Sequence, residues 1–364
     1  MKKILSLLLA LAMILALTAC GNTNAPADEP TDDPAAEDTA EDAAEEETPA
    51  EEEAAEEDET PVEEETPAET AAVRIGSLKG PTSIGLAHLR AEAEAGESEG
   101  SYEFTLEADA SALMTGIVNG DLDIALIPAN AASIWYNKME GAVTCINVNT
   151  LGVLYILSAD DSIDTIEELA GKTIYLPGQG TSPDYVLQYL LSQHDMSLED
   201  VTVEYQAEGT EVIAALTANP EGIGLLPQPA ATAAQSKLEG FSVVMDLTEE
   251  WGKVCDRDLI TGVTVVRTQF LNENKEAVDL FISEHNESVQ YIDADLAGVA
   301  QLTEDYGIMD KAALAEKAIP LCNVTEISGE NMKDLVSNYL QVLFDLNPAS
   351  VGGTLPADDF YYLG

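Results

Sequence analysis

Two short segments rich in glycine and hydroxyl side chains stand out as candidate chemistry: Gly80-Pro81-Thr82-Ser83 and Gln179-Gly180-Thr181-Ser182. Each lies between an apolar run and a helix-periodic run. Glycine lets backbone approach a bound molecule closely, and proline suits the first helical position. The free N–H groups that open a helix, together with the hydroxyls, can hold an anion or a carbonyl. The same hydroxyls can equally serve as helix caps. Asn130 and Gln228 follow the apolar runs that end at Pro128 and Pro227, and a carboxamide both donates and accepts. Thr150 and Gly152 sit beside a predicted change of direction in the chain. Trp135, Tyr136, Tyr155 and Trp251 are available for a ring-stacking wall or for the core. The chemistry on offer is recognition of a small molecule by hydrogen bonds.

Other chemistries find little support. His88, His194 and His285 are scattered, and no HExxH, Walker or GxGxxG pattern occurs in residues 73–364. Cys145, Cys255 and Cys322 form no CxxC and no Cys/His metal spacing, so no metal, cofactor or catalytic residue is expected. Three thiols past Cys20 leave at least one unpaired. The chain carries 68 acidic and 15 basic residues, a net charge of −53. Phosphate-mediated nucleic-acid binding requires a basic patch, and none is visible. Arg74 and Arg267 read as surface residues at strand ends, so an anionic ligand would depend on helix termini and hydroxyls.

The chain opens with Lys2 and Lys3, an uncharged apolar stretch over residues 4–17, and Leu17-Thr18-Ala19-Cys20. A positive start, a short apolar core and small residues before a cleavage point make a secretory signal, too short to span a bilayer comfortably. The closing tetrapeptide resembles a bacterial lipobox, which implies lipidation of Cys20. Residues 21–72 contain 22 acidic residues and no lysine or arginine. They cannot bury enough apolar surface to fold, and like charges extend them, so they are expected to form a disordered tether or an acidic interaction tail.

The elements that must position the candidates alternate strand and helix, which predicts an α/β fold. Strand, small-residue turn, helix, strand, helix and a strand ending in proline occur once between residues 73 and 128, and again between 172 and 227. Two similar α/β lobes would produce such an echo. Helices by period fill most of residues 273–344.

Two motifs carry a family resemblance. Asn119-Gly120-Asp121-Leu122-Asp123-Ile124-Ala125 resembles the G-x-x-D-[IV]-A strand of type II periplasmic binding proteins. The run Asp164-Thr165-Ile166-Glu167-Glu168-Leu169-Ala170-Gly171-Lys172-Thr173-Ile174 resembles their entry to the second lobe. The branch most resembled is that of nitrate, sulfonate, taurine and thiamine-precursor binders, and the likeness spans nearly all of residues 73–364. Where many sulfonate-type members carry an acidic residue before the proline of the second-lobe strand, this chain has Leu226-Pro227-Gln228-Pro229.

The resemblance implies a two-lobed, Venus-flytrap α/β fold behind the tether. Residues 73–159 and 258–364 would form lobe 1, and residues 160–257 lobe 2, with hinge crossings near residues 157–160 and 257–261. It implies an exported, monomeric solute receptor of an ABC importer, held at the membrane through Cys20 and delivering to a permease. A ligand-sensing lipoprotein that docks on a membrane receptor would use the same pocket. An enzyme like thiamine-pyrimidine synthase would need a cysteine-rich motif that is absent here.

Overall fold

A computed structural model describes residues 72–364 of the chain. The signal segment, Cys20 and the acidic stretch lie outside the described residues.

The first lobe begins with β1 (Val73–Leu78), α1 (Pro81–Ile84), α2 (Ala87–Ala95), β2 (Tyr102–Glu107), α3 (Ala110–Asn119), β3 (Ile124–Pro128), α4 (Ala129–Lys138) and β4 (Val143–Leu151). The second is built from β5 (Leu154–Ser158), β6 (Thr173–Pro177), α5 (Ser182–Gln193), β7 (Thr202–Gln206), α6 (Gly209–Ala218), β8 (Ile223–Pro227), α7 (Ala230–Lys237), β9 (Ser242–Asp246) and α8 (Leu247–Val254). The chain then returns through β10 (Ile260–Arg267), α9 (Thr268–Glu273), α10 (Lys275–Ala294), α11 (Leu296–Asp305), α12 (Ala312–Ala318), β11 (Val324–Ser328) and α13 (Gly329–Leu346).

Two mixed sheets result, ordered β11-β4-β10-β3-β1-β2 and β7-β6-β8-β5-β9. The echo in the sequence is now spatial. β2-β1-β3 and β7-β6-β8 are parallel triplets of the same order, each flanked by one antiparallel strand. β3 and β8 are apolar throughout and buried on both faces, as strands covered by helices on each side must be.

The strand directions place the candidate loops. β4 runs parallel to β3 through the intervening β10, and it ends at Leu151, where the chain leaves for the second sheet. β5 starts at Leu154 paired with Pro227, the last residue of β8. The carboxyl ends of both parallel triplets therefore face the crossing between lobes, where open α/β sheets bind ligands. The crossing itself differs from expectation. β5 pairs with β8 and β9 in the second sheet, so the first hinge strand is Gly152–Val153 rather than residues 157–160. Gly152 lies in the short gap between β4 and β5. A Cβ there would lie 2.2 Å from Thr248 Oγ1 and 3.0 Å from Leu259 Cδ2, so the crossing is packed against the returning chain.

Asp123, the acid of the first motif, anchors the first sheet. It is 1% exposed and accepts from Arg74 Nε (2.8 Å), Arg74 Nη2 (2.7 Å), the Arg74 N–H (3.1 Å) and Arg267 Nη2 (2.9 Å). The two arginines are thus not simple surface residues, as their strand-end positions suggested. They are partly covered and committed to one carboxylate, tying β1, β3 and β10 together.

The two sides of the molecule join the lobes differently. On one, a single apolar cluster runs from the first lobe into the second through Tyr339, Trp251 and Tyr185. The Trp251 and Tyr339 ring centroids are 6.1 Å apart, and Tyr189 lies 4.5 Å from Trp251. On the other, the apolar cluster around α11 and α12 and the one around α6 and α7 remain separate. Burying a large apolar side chain contributes roughly 1.5–3 kcal/mol, so the shared side is the natural pivot. Among the described residues no helix is long and apolar enough to cross a membrane.

Candidate functional site

The loop after β1 is shaped by Gly80, whose φ of +106° excludes most side chains and whose N–H donates to Ile308 O (3.2 Å). Pro81 opens α1, as its fixed φ favours. Ser83 is fully buried and donates to Leu78 O, so it fixes the turn. Thr82 is 8% exposed, and its hydroxyl makes no hydrogen bond among the described residues. Its methyl packs beside Gly262, where an added Cβ would meet Thr82 Cγ2 at 2.6 Å, Asn149 Oδ1 at 2.4 Å and Thr150 Cβ at 3.2 Å. Thr150 Oγ1 donates to Asn149 Oδ1 (2.9 Å), and Asn149 Nδ2 donates to Thr264 Oγ1 (3.1 Å). Thr82 and Thr150 therefore converge on the bare backbone of Gly262, at the cleft end of the first sheet.

On the second lobe, Gln228 follows β8 directly. It is 1% exposed, and its N–H donates to Val153 O (2.9 Å) on the crossing strand. Its Oε1 accepts from Thr232 Oγ1 (2.8 Å) and the Thr232 N–H (3.3 Å), while Nε2 has no partner. A buried donor left unmade costs about 1–3 kcal/mol, so this amide is a donor without an acceptor. Gly152 stands two residues past Thr150, and its carbonyl accepts from Asn323 Nδ2 (2.6 Å). The geometry thus gathers Thr82, Thr150, Gly152 and Gln228 around the first crossing.

The second glycine loop is arranged otherwise. Thr181 Oγ1 donates to Gly178 O (2.6 Å) and Pro177 O (3.2 Å), closing its own turn. The Gly180 N–H donates to Asp184 Oδ2 (2.8 Å), and Asp184 Oδ1 accepts from Tyr205 OH and Gln188 Nε2, each at 2.9 Å. This buried carboxylate in the first turn of α5 answers the positive helix end that an anion would otherwise use. Burial, then the bond to Asp184, pushes the Tyr205 hydroxyl up to about 12, so it stays a donor. Ser182 reaches Tyr339 OH across the lobes at 3.3 Å, and Gln179 and Gly180 are exposed. Asn130 lies apart from the gathered set, with Nδ2 3.5 Å from Ser350 O. Trp251, Trp135 and Tyr155 are buried in the core, and Tyr155 OH donates to Leu321 O (2.9 Å) across the lobes.

A family model described as NMT1/THI5 like matches residues 108–295, just over half of the chain and both motifs. The chain belongs to the NMT1/THI5-like family. Among curated relatives, a protein of Brucella abortus (strain 2308) that carries the name of a binding protein is 25% identical over 267 residues, covering 71% of this chain and 77% of its own. Among solved structures, an ABC transporter structure from Parabacteroides distasonis superposes with a TM-score of 0.68 at 20% identity, covering 80% of this chain and 99% of that one. The periplasmic aliphatic sulphonate binding protein SsuA from Escherichia coli gives 0.64 at 16% identity, covering 80% and 92%. The fold is that of the type II periplasmic binding proteins.

Within this NMT1/THI5-like chain, several site neighbours were not legible in the sequence. Asn149, Gly262, Thr264 and the buried, unpartnered hydroxyl of Thr248 line the crossing. Only Gly262 carried a signal, since a glycine inside a strand marks close approach by another group. His285, read as ordinary helical sequence, is fully buried on α10. Its Nδ1 is 3.4 Å from Asn147 Nδ2 and its Nε2 has no partner, and burial lowers its pKa to about 4. Among the described residues no group of three His, Cys, Asp or Glu side chains could hold a metal ion, and Cys145, Cys255 and Cys322 are free.

Proposed function

We propose that this protein is the extracytoplasmic solute receptor of an ABC importer, without enzymatic activity of its own. It captures a small polar molecule between its lobes and presents the closed form to a membrane permease. One observation carries the reading. Two α/β lobes direct their strand ends at a shared crossing, where Gln228 Nε2 is buried without a hydrogen-bond partner among the described residues. The names of the Brucella relative and of the sulphonate-binding neighbour accord with it. The gathered groups are hydroxyls, amides and backbone, and Asp184 already occupies the start of α5. The ligand is therefore held by hydrogen bonds rather than by an ion pair. Thr82, Thr150, Gly152 and Gln228 make the inner contacts, whereas Gly80, Pro81, Ser83, Asn130 and the Gln179–Ser182 turn shape the walls. Hinge motion at Gly152–Val153 and residues 255–259 closes the cleft. Export and lipidation of Cys20 would hold this monomer at the outer face of the cell membrane, with residues 21–72 as spacer.

A thermal-shift screen of residues 21–364 against nitrate, taurine, alkanesulfonates, thiamine pyrimidines, polyamines and amino acids tests the proposal. A ligand at 100 times its dissociation constant adds about 2.7 kcal/mol of stability. Thr82→Ala and Gln228→Ala should each abolish the shift, and Gln228→Ala should also lower the melting point of the free protein, because it removes the acceptor of two buried bonds from Thr232. A ligand whose shift survives both substitutions refutes the assigned site.

A further inference from the structure

On the side away from the shared core, a groove of about 510 Å³ runs between the lobes. None of its lining residues belongs to the apolar cluster that joins the lobes on the pivot side. Its floor is apolar, with Ile213, Ala230 and Ala233 from the second lobe and Leu314 from the first. Three lysines, Lys237, Lys311 and Lys317, line it against a single carboxylate, Asp310. The chain carries only 15 basic residues and a net charge of −53, so three lysines on one groove form a local reversal of sign. Among the described residues none of the three makes a salt bridge, whereas Lys172, Lys253, Lys275 and Lys333 each do.

Helix termini explain only part of this. Lys237 and Lys317 lie in the last turns of α7 and α12, where the carbonyl end favours a cation. Lys311 stands at the N-cap of α12, where a cation is disfavoured. The volume falls within the ~300–1,000 Å³ typical of small-molecule sites, and an apolar floor with a few polar groups at its edge is their usual composition.

We infer that this groove is a second ligand site, distinct from the residues gathered at the crossing, and that it takes an amphipathic anion: an alkyl chain on the floor and one sulfonate, carboxylate or phosphate head among the three lysines. Because both lobes supply its walls, the occupant binds when they are apposed. Its affinity and closure are therefore linked, each raising the other. The inference does not depend on which solute enters the central cleft.

Isothermal titration of residues 21–364 tests it, with 1-octanesulfonate, octanoate, ethanesulfonate and octyltrimethylammonium as probes, each below its micelle concentration. The two octyl anions should bind saturably, ethanesulfonate at least about tenfold more weakly for want of buried methylenes, and the octyl cation not at all. The triple variant Lys237→Gln/Lys311→Gln/Lys317→Gln should bind octanesulfonate about tenfold more weakly, with an unchanged melting point. Leu314→Glu, which places a like charge on the floor, should abolish binding. Equal binding by the triple variant overturns the inference, as does equal binding of the octyl cation. Loss of octanesulfonate binding in Thr82→Ala but not in the lysine variant overturns it too, because the anion then occupies the central cleft. A chain that binds octanesulfonate through its lysines but no solute from the wider panel would lose the receptor reading alone.

Discussion

Replacing Asp123 by alanine tests whether the family motif is structural or ligand-directed. The carboxylate is 1% exposed and receives four hydrogen bonds, three of them from guanidinium nitrogens. Removing one partner of a fully buried ion pair costs about 3–5 kcal/mol. Here the Arg74 and Arg267 side chains retain 36% and 21% exposure and can rehydrate, so the expected loss is about 2–4 kcal/mol. At about 2–4 °C per kcal/mol for a protein of this size, calorimetry should find the melting point lowered by about 5–12 °C. The pH dependence gives a second reading. Burial alone would raise the Asp123 pKa, but the bonds from Arg74 and Arg267 outweigh it and hold it below the usual carboxylate range. A depressed carboxylate pKa contributes stability that is present above its unfolded value of about 3.9 and is lost as pH falls through the folded value. The wild type should therefore lose stability more steeply than Asp123→Asn below about pH 4. A melting point within 2 °C of wild type for Asp123→Ala, or parallel acid profiles for Asp123→Asn, would refute the clamp and free the motif for a ligand role.

Other consequences can be checked in the same preparations. His285 is held neutral by burial, with its pKa near 4 against about 6.5 unfolded, so its contribution is complete above pH 6.5 and declines by up to about 3 kcal/mol as pH falls to 4. His285→Phe should flatten denaturant-unfolding stability over that window. Glu326 has the opposite sign: burial raises its pKa and its Oε1 has no partner, so Glu326→Gln should be neutral or stabilising at pH 7 and lose that advantage near pH 4. Gly152→Val should wedge the crossing against Thr248 and Leu259, costing about 1–3 kcal/mol, visible as a lower melting point and weaker solute affinity. Of the three thiols in residues 73–364, only the half-buried Cys255 should react with a thiol reagent in the native state. Cys145 and Cys322 are buried, and burial pushes their thiols above the usual range.

The fold was readable because its determinants are local. Apolar runs such as Asp123-Ile124-Ala125-Leu126-Ile127-Pro128 and Gly222–Pro227 can only be buried strands, and their matching surroundings betrayed the repeated sheet order. Elements with weak local signals were missed. α7 reads Ala-Ala-Thr-Ala-Ala-Gln-Ser-Lys, small residues without a clear apolar stripe, and β11 is a half-buried edge strand with a register shift. The site was readable only in part. Gly80, Pro81 and Gly152 carry backbone signatures, but whether a hydroxyl is free depends on tertiary neighbours. Thr82 is unpartnered while Thr181 closes its own turn, and both look alike in sequence. Likewise Arg74 and Arg267 looked exposed because the acid that holds them lies 49 and 144 residues away.

The chain contains only two tryptophans, and the fold gives them unlike surroundings. Trp135 lies on α4 of the first lobe, buried in the apolar cluster. Trp251 sits in the pivot, against Tyr189 of one lobe and Tyr339 of the other, with Nε1 donating to Arg257 O on the returning crossing (2.9 Å). Rotation of one lobe against the other would change the packing and polarity around this indole. The molecule thus carries an intrinsic optical reporter at its hinge. With Trp135→Phe as background, emission from Trp251 would follow closure without any label.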